Sequence, residues 1–170
     1  MRSAATDAYK EFATARAGHL FRSACLLAGG DTHLAEDLVQ ETLGRMYVVW
    51  GRMGKVANPA GYAQTVLVRT FLTHQRRRSS RESPSAVLPD RASRDSGGDA
   101  ALRVALLTAL AALGPKDRAV LVLRYWEDRS VEETATVLQS SPGAVRTRAA
   151  RALARLREEL DGSLADLVAG

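Results

Sequence analysis

Five arginines, Arg146, Arg148, Arg151, Arg155 and Arg157, fall within the stretch SSPGAVRTRAARALARLREEL at residues 140–160. On a helix, which turns about 100° per residue, Val145, Ala149, Leu153, Leu156 and Leu160 form one stripe, and Ala144, Thr147, Arg148, Arg151 and Arg155 lie opposite. One side is made to pack. The other presents guanidinium forks, whose paired donors match the acceptors of a guanine edge or a phosphate. Upstream, SVEETATVLQ reads as a short helix opened by a Ser130 cap with Glu133 at the capping-box position. A turn at residues 139–141 follows, and Pro142 then suits the first position of the next helix. The pair is a helix-turn-helix, with Ala135 small at the crossing and Val131, Leu138 and Val145 in the wedge. In such a unit the second helix enters a major groove, which aims Ala144, Thr147, Arg148 and Arg151 at base edges and Arg155 and Arg157 at phosphates. An ordinary hairpin with a solvated Arg face is the alternative; cap, turn, proline start and segregated arginines together favour the groove reader.

Two further groups could do chemistry. In AEDLVQET, Asp37, Gln40 and Glu41, with Gly44 and Val48 continuing the line, lie opposite Ala35, Val39, Leu43, Met46 and Trp50. Paired carboxylates suggest acid–base work, yet no nucleophile or metal partner is near in sequence and His33 stands alone. The face is either solvated or shaped to receive another protein's helix. The helix from Pro59 carries Tyr62, Gln64, Arg69 and His74 on one side and ends in Arg76, Arg77 and Arg78. Aromatics stack on unpaired bases and arginines track phosphates, the chemistry of single-strand capture. Tyr62 as a core residue and the arginines as partners of the helix dipole are the competing assignments.

The elements that must hold these groups follow from periodicity. The segment from Thr6 to Leu27 spaces Tyr9, Phe12, Ala13, Ala17, Leu20, Phe21, Ala24 and Leu27 as one helical face, with Thr6 or Asp7 as a cap and Gly29–Gly30 as a stop. A second helix starts behind Asp31 or Thr32 and runs to about Trp50. The glycine-bearing GRMGKVANP is a loop, and Pro59 opens a third helix that packs Tyr62, Val66, Leu67 and Phe71. Residues 79–100 are rich in Ser, Pro, Gly, Asp and Arg without a period, which predicts a flexible linker. Helices at 101–113, 116–128 after a Gly114–Pro115 break, 130–138 and from Pro142 complete an all-α chain of two small helical domains.

Composition fits this reading. With 24 Lys and Arg against 19 Asp and Glu, the net charge of +5 permits a polyanionic partner. Cys25 is the only cysteine, so neither a disulfide nor a Cys-based metal cluster is expected, and no cofactor or metal is called for. No basic segment precedes an apolar run, and no apolar stretch reaches about 18 residues, so neither export nor membrane insertion is expected, and a cytoplasmic location is.

Taken in order and at these spacings, AEDLVQET, NPAGYAQTVLVRTFLTHQRRR and LGPKDRAVLVLRYWEDRSVEETATVLQSSPGAVRTRAARALARLRE resemble the bacterial extracytoplasmic-function sigma factors of RNA polymerase. LVQETL with YVVW, and HQRRRSSRE, resemble the sigma-E-like subgroup common in actinobacteria. The resemblance implies a promoter-specificity subunit rather than an enzyme. It implies a region 2-like domain at 1–78, a linker at 79–100, a region 4-like domain at 101–160 and a tail at 161–170.

By the same resemblance Asp37, Gln40, Glu41 and Tyr47 dock on the β′ clamp helices of core polymerase. Arg52, Lys55, Asn58, Tyr62, Arg69, His74, Arg76 and Arg77 serve the -10 element. Arg146, Thr147, Arg148, Ala150, Arg151 and Arg155 read the -35 element. Implied partners are core polymerase, through the β′ clamp and the β flap, promoter DNA, and an anti-sigma factor, with the chain on the nucleoid when in holoenzyme. An autonomous dimeric helix-turn-helix regulator is the alternative function. The tail SLADLVAG reads as a frayed helix end or a protease-recognised tag.

Overall fold

A computed structural model describes residues 2–80 and 98–169 of the chain, and every described element is helical. The N-terminal half is α1 (Arg2–Leu27), α2 (Thr32–Val49), a 3-10 turn (Trp50–Lys55) and α3 (Pro59–Ser80). The C-terminal half is α4 (Gly98–Ala111), α5 (Pro115–Leu121) with a π-helical turn (Val122–Trp126), α6 (Val131–Leu138) and α7 (Pro142–Ala169).

Local signals set most boundaries. Asp31 caps α2, its Oδ1 accepting from the Leu34 amide at 3.1 Å. Between α1 and α2 the chain reverses through Gly29 (φ 62°) and Gly30 (φ 89°), and the Gly30 amide donates to the Cys25 carbonyl at 3.0 Å. Glycine is required twice over at position 29, because a Cβ there would stand 2.8 Å from both Cα and Cβ of Ala111. The N-terminal boundary departs from expectation: α1 already starts at Arg2, so Thr6 and Asp7 lie inside it. A capping residue does not stop a helix when good formers such as Ala4 and Ala5 precede it.

The predicted loop after Trp50 is a 3-10 turn anchored by buried Met53. Of the predicted linker, residues 79–80 close α3 and residues 98–100 open α4, while residues 81–97 lie outside the described residues. The predicted tail is not a separate element, since α7 continues unbroken past Leu160 to Ala169.

The core of the N-terminal half is Leu20, Leu27, Leu38, Met46, Leu67 and Phe71, all nearly or wholly excluded from solvent. In the C-terminal half Leu110, Leu113, Leu121 and Ala152 pack between α4, α5 and α7. The halves are not held apart: Ala119, Val122, Leu123 and Val137 of the second are buried in one continuous cluster with the core of the first. Arg118 spans the same seam, its guanidinium 5.5 Å from the Phe71 ring centroid and donating to the carbonyls of Leu110 and Ala111 at 3.4 Å. Burial lowers the pKa of this guanidinium from the usual arginine value.

Candidate nucleic-acid interfaces

The helix-turn-helix forms as its sequence requires. Ser130 Oγ accepts from the Glu133 amide at 3.0 Å, and Glu133 Oε1 accepts from the Ser130 amide at 3.2 Å. The Ser130 amide first, and the Ser130 side chain after it, hold the Glu133 carboxyl below its ordinary pKa. At the turn Gln139 takes the left-handed conformation (φ 52°, ψ 49°), and the Ser140 amide donates to the Ala135 carbonyl at 2.9 Å. Ser141 Oγ then accepts from the Ala144 amide at 3.1 Å and Pro142 begins α7. Ala135 and Val145 are buried at the crossing, with Val131 and Leu138 half-buried beside them.

On the outer side of α7, Arg146, Thr147, Arg148, Ala150, Arg151 and Arg155 are all exposed. Arg146 approaches Glu132 at 3.7 Å and Arg148 pairs with Asp117 at 2.8 Å. Arg155 donates to the Ala112 carbonyl at 3.2 Å. Arg151 points outward with no partner among the described residues. Exposed pairs of this kind are weak and exchange readily for a phosphate or a base edge.

A second candidate surface lies at the start and along the side of α3. Arg52 and Lys55 are exposed on the 3-10 turn. Asn58 is exposed too, but its Oδ1 accepts from the Gly61 amide at 3.0 Å, so this side chain caps α3. Tyr62 is 39% exposed, outside the core that periodicity offered as one of its two places. Gln64, expected on the outer side, is buried. Helix α3 contacts α1, α2, α5 and α6, so little of it is left open to solvent.

Arg69 Nε and Nη2 donate to the carbonyls of Val137 and Thr136 at 3.3 and 3.4 Å, at the C-terminal end of α6. His74 is half-buried, and Arg76 and Arg77 are exposed near the end of the helix. The two surfaces meet at the seam. A cleft of about 710 Å³ brings Arg69 and Arg76 together with Lys116 and Arg148. Another, of about 620 Å³, places Asn58 and Tyr62 opposite Asp128, Arg129 and Glu133.

The third surface is the outer face of α2. Asp37, Gln40 and Glu41 are exposed, Glu41 pairing with Arg45 at 2.8 Å. Tyr47 is 54% and Val48 75% exposed, and nothing approaches the Cβ position of Gly44 within 4 Å. Behind this face stands an aromatic cluster that the spacing of α2 alone does not reveal. Tyr9 meets Tyr47 and Trp50 edge-on at 5.0 and 5.6 Å, Phe12 lies 5.0 Å from Trp50, and the Tyr9 hydroxyl donates to the Leu43 carbonyl at 2.5 Å. Burial, with a smaller contribution from Tyr47, raises the Tyr9 pKa.

Among the described residues no group of three or more His, Cys, Asp or Glu side chains converges as a metal site. No helix among them is long and apolar enough to cross a membrane. Cys25 is half-buried, and its thiol pKa is raised chiefly by that burial.

Comparison with known proteins covers both halves. Residues 8–81 match the Sigma-70 region 2 family and residues 103–156 match Sigma-70, region 4. The RNA polymerase sigma-E factor of Streptomyces avermitilis is 40% identical over 153 residues, 90% of this chain and 85% of that protein. That of Streptomyces coelicolor is 39% identical over 152 residues, 89% of this chain and 85% of the relative. Among solved structures, the sigma factor RpoE from Bartonella quintana, co-crystallised with the anti-sigma factor NepR, shares the fold with a TM-score of 0.67 at 23% identity. The match covers 90% of this chain and 96% of that one. With a helix-turn-helix in its second half and relatives matching along nearly its whole length, the chain belongs to the RNA polymerase sigma factors of the extracytoplasmic-function, sigma-E kind.

Proposed function

We propose that the chain directs promoter-specific initiation by dividing three tasks among its three exposed surfaces. The outer face of α2, with Asp37, Gln40, Glu41 and Tyr47, docks on the β′ clamp helices of core polymerase, and the C-terminal half docks on the β flap. The first turns of α7 read the -35 element in the major groove. Arg146, Arg148 and Arg151 reach base edges or their flanking phosphates, Thr147 and Ala150 make the close approach, and Arg155 holds backbone.

At the -10 element a base must leave the stack, which costs a few kcal/mol and is easiest at flexible, AT-rich steps. Arg52, Lys55 and the Asn58 cap frame the place where that base is held. Tyr62 offers it a ring to stack on, and Arg69, His74, Arg76 and Arg77 neutralise the strand's phosphates. RNA synthesis itself belongs to the polymerase, so the chain is not an enzyme, and its place is the cytoplasm, on the nucleoid when in holoenzyme. An anti-sigma factor would act by covering the same polar and basic faces. Domain limits at 1–78 and 101–160 belong to this reading.

The observation that carries it is the exposed arginine face of α7 on a helix-turn-helix whose every cap is satisfied. A dimeric regulator would need only that half, and the region 2 match over residues 8–81 favours the sigma reading over it. The test is transcription from a promoter library by purified core polymerase with and without the chain. Start sites that need the chain and share two spaced elements support the reading. No such starts, with tight duplex binding by the chain alone, would overturn it.

A further inference from the structure

The arginines that open α7 are not held alike. Arg148 Nη1 donates to Asp117 Oδ1 at 2.8 Å, reaching the first turn of α5. Arg146 comes only within 3.7 Å of Glu132, with both side chains more than 60% exposed, and Arg151 has no partner among the described residues. Within the Arg148 pair the carboxylate is the more enclosed member, its side chain 25% exposed against 43% for the arginine. Asp117 is the only carboxylate among the described residues that line the basic cleft. Arg69, Arg76 and Lys116 line it too, yet the hydrogen bond goes to the arginine of α7.

Packing within the C-terminal half fixes both partners. Leu113 just before α5 and Leu121 at its end are buried in one cluster with Ala152, one turn beyond Arg148. Ala149, the neighbour of Arg148, is buried as well. Pro115 at the first position stiffens the turn that carries Asp117. A guanidinium presents five N–H donors in one plane. Asp117 takes a donor on Nη1, and the Nε–Nη2 edge remains as a parallel pair of the kind that bonds guanine O6 and N7 together.

We propose that Asp117 is a positioning residue that sets promoter specificity: it holds the Arg148 guanidinium with its second edge ready for a guanine of the upstream element and keeps it from settling on a phosphate. This rests on the reading of α7 as the -35 reader. A long side chain already held in place loses less freedom when it meets a base. The same carboxylate offsets part of the guanidinium charge and repels phosphate oxygens, so Arg148 gains less from the anionic backbone than from a neutral base edge. Because the pair is partly exposed, its effect is modest, about two- to fivefold in discrimination. The open pair of Arg146 with Glu132 has no such anchor.

The test uses the full chain bound to purified core polymerase and a duplex library randomised across the upstream element, with bound and unbound fractions sequenced. Asp117→Asn should lower the preference for guanine at one position about two- to fivefold. It should also raise affinity for a duplex lacking the element, and steepen the salt dependence of that binding by up to about one phosphate contact. A merely structural loss would weaken both kinds of binding. In an Arg148→Ala background Asp117→Asn should change nothing further. Glu132→Gln should leave every position as in wild type, and an equal loss there would make the effect one of general charge and contradict the anchoring. Wild-type preference in Asp117→Asn would overturn the proposal, as would the same loss with and without Arg148. An Arg148→Ala chain with every preference intact would remove that arginine from the reading face, and the role of Asp117 with it. No upstream element enriched by the wild-type holoenzyme would instead remove the sigma reading on which both depend.

Discussion

The two basic helices of this chain meet their surroundings in opposite ways. Along the first four turns of α7 the arginines face outward, Arg146 and Arg148 in exposed pairs with Glu132 and Asp117 and Arg155 on the Ala112 carbonyl. The middle of α3 is hemmed in: Gln64, Leu67, Val68 and Phe71 are buried and Arg69 is bonded to α6. On the proposed function, the difference follows from what each helix must read. A duplex offers its groove from outside, and a rigid helix presented on a capped turn meets it without rearrangement. An opened strand must be enclosed, and a surface that encloses also packs readily against its own chain.

Substitutions should separate the two helices sharply. The largest effect is expected inside α3. Phe71→Ala empties a fully buried site beneath Arg118 and should lower unfolding free energy by about 3–5 kcal/mol in urea titration. On α7, Arg151→Ala should leave the fold unchanged and weaken holoenzyme binding to a promoter duplex by about 1–3 kcal/mol, with the loss confined to the upstream element. A retained upstream preference would remove Arg151 from the reading face.

Smaller effects belong to the turn that presents α7. Ser130→Ala deletes the capping box and should cost about 1 kcal/mol of stability. The box also has a pH signature. Glu133 titrates lower folded than unfolded, so its contribution is complete above the ordinary carboxylate range and fades as acid protonates it through the folded value. Wild type and Glu133→Gln should therefore converge in stability at low pH, and a constant gap would refute that origin. The smallest effect is expected on α2. Glu41→Ala breaks only an exposed pair with Arg45 and should shift stability by less than about 0.5 kcal/mol, while reducing retention of the chain on immobilised core polymerase.

Much of this contrast can be read from sequence, and the reason is locality. Asp31, Pro59, Ser130 with Glu133, and Pro142 act within one turn of themselves, and each stands at the helix start its chemistry predicts. The outward arginines of α7 are equally local, since period and charge place them. The start of α1 escaped because alanines before Thr6 extend a helix past any capping residue. Gln64 escaped because its burial depends on how other helices pack around α3. Arg129 carries no sequence signal at all: it lies in a short polar turn, and its partners Gly61 and Thr65 are 68 and 64 residues away. One face of α2 could be seen in the pattern, but the Tyr9, Phe12 and Trp50 rings behind it come together only through tertiary packing.

The central claim is that one chain reads a duplex with α7 and takes an opened strand with α3. Permanganate mapping of unpaired thymines, on a promoter bound by core polymerase and the chain, tests it most directly. The account predicts a short run of reactive thymines downstream of the segment that α7 protects, present in wild type, diminished by Tyr62→Ala and dependent on the chain. Protection of the upstream segment with the downstream thymines still paired, or equal reactivity without the chain, would contradict it.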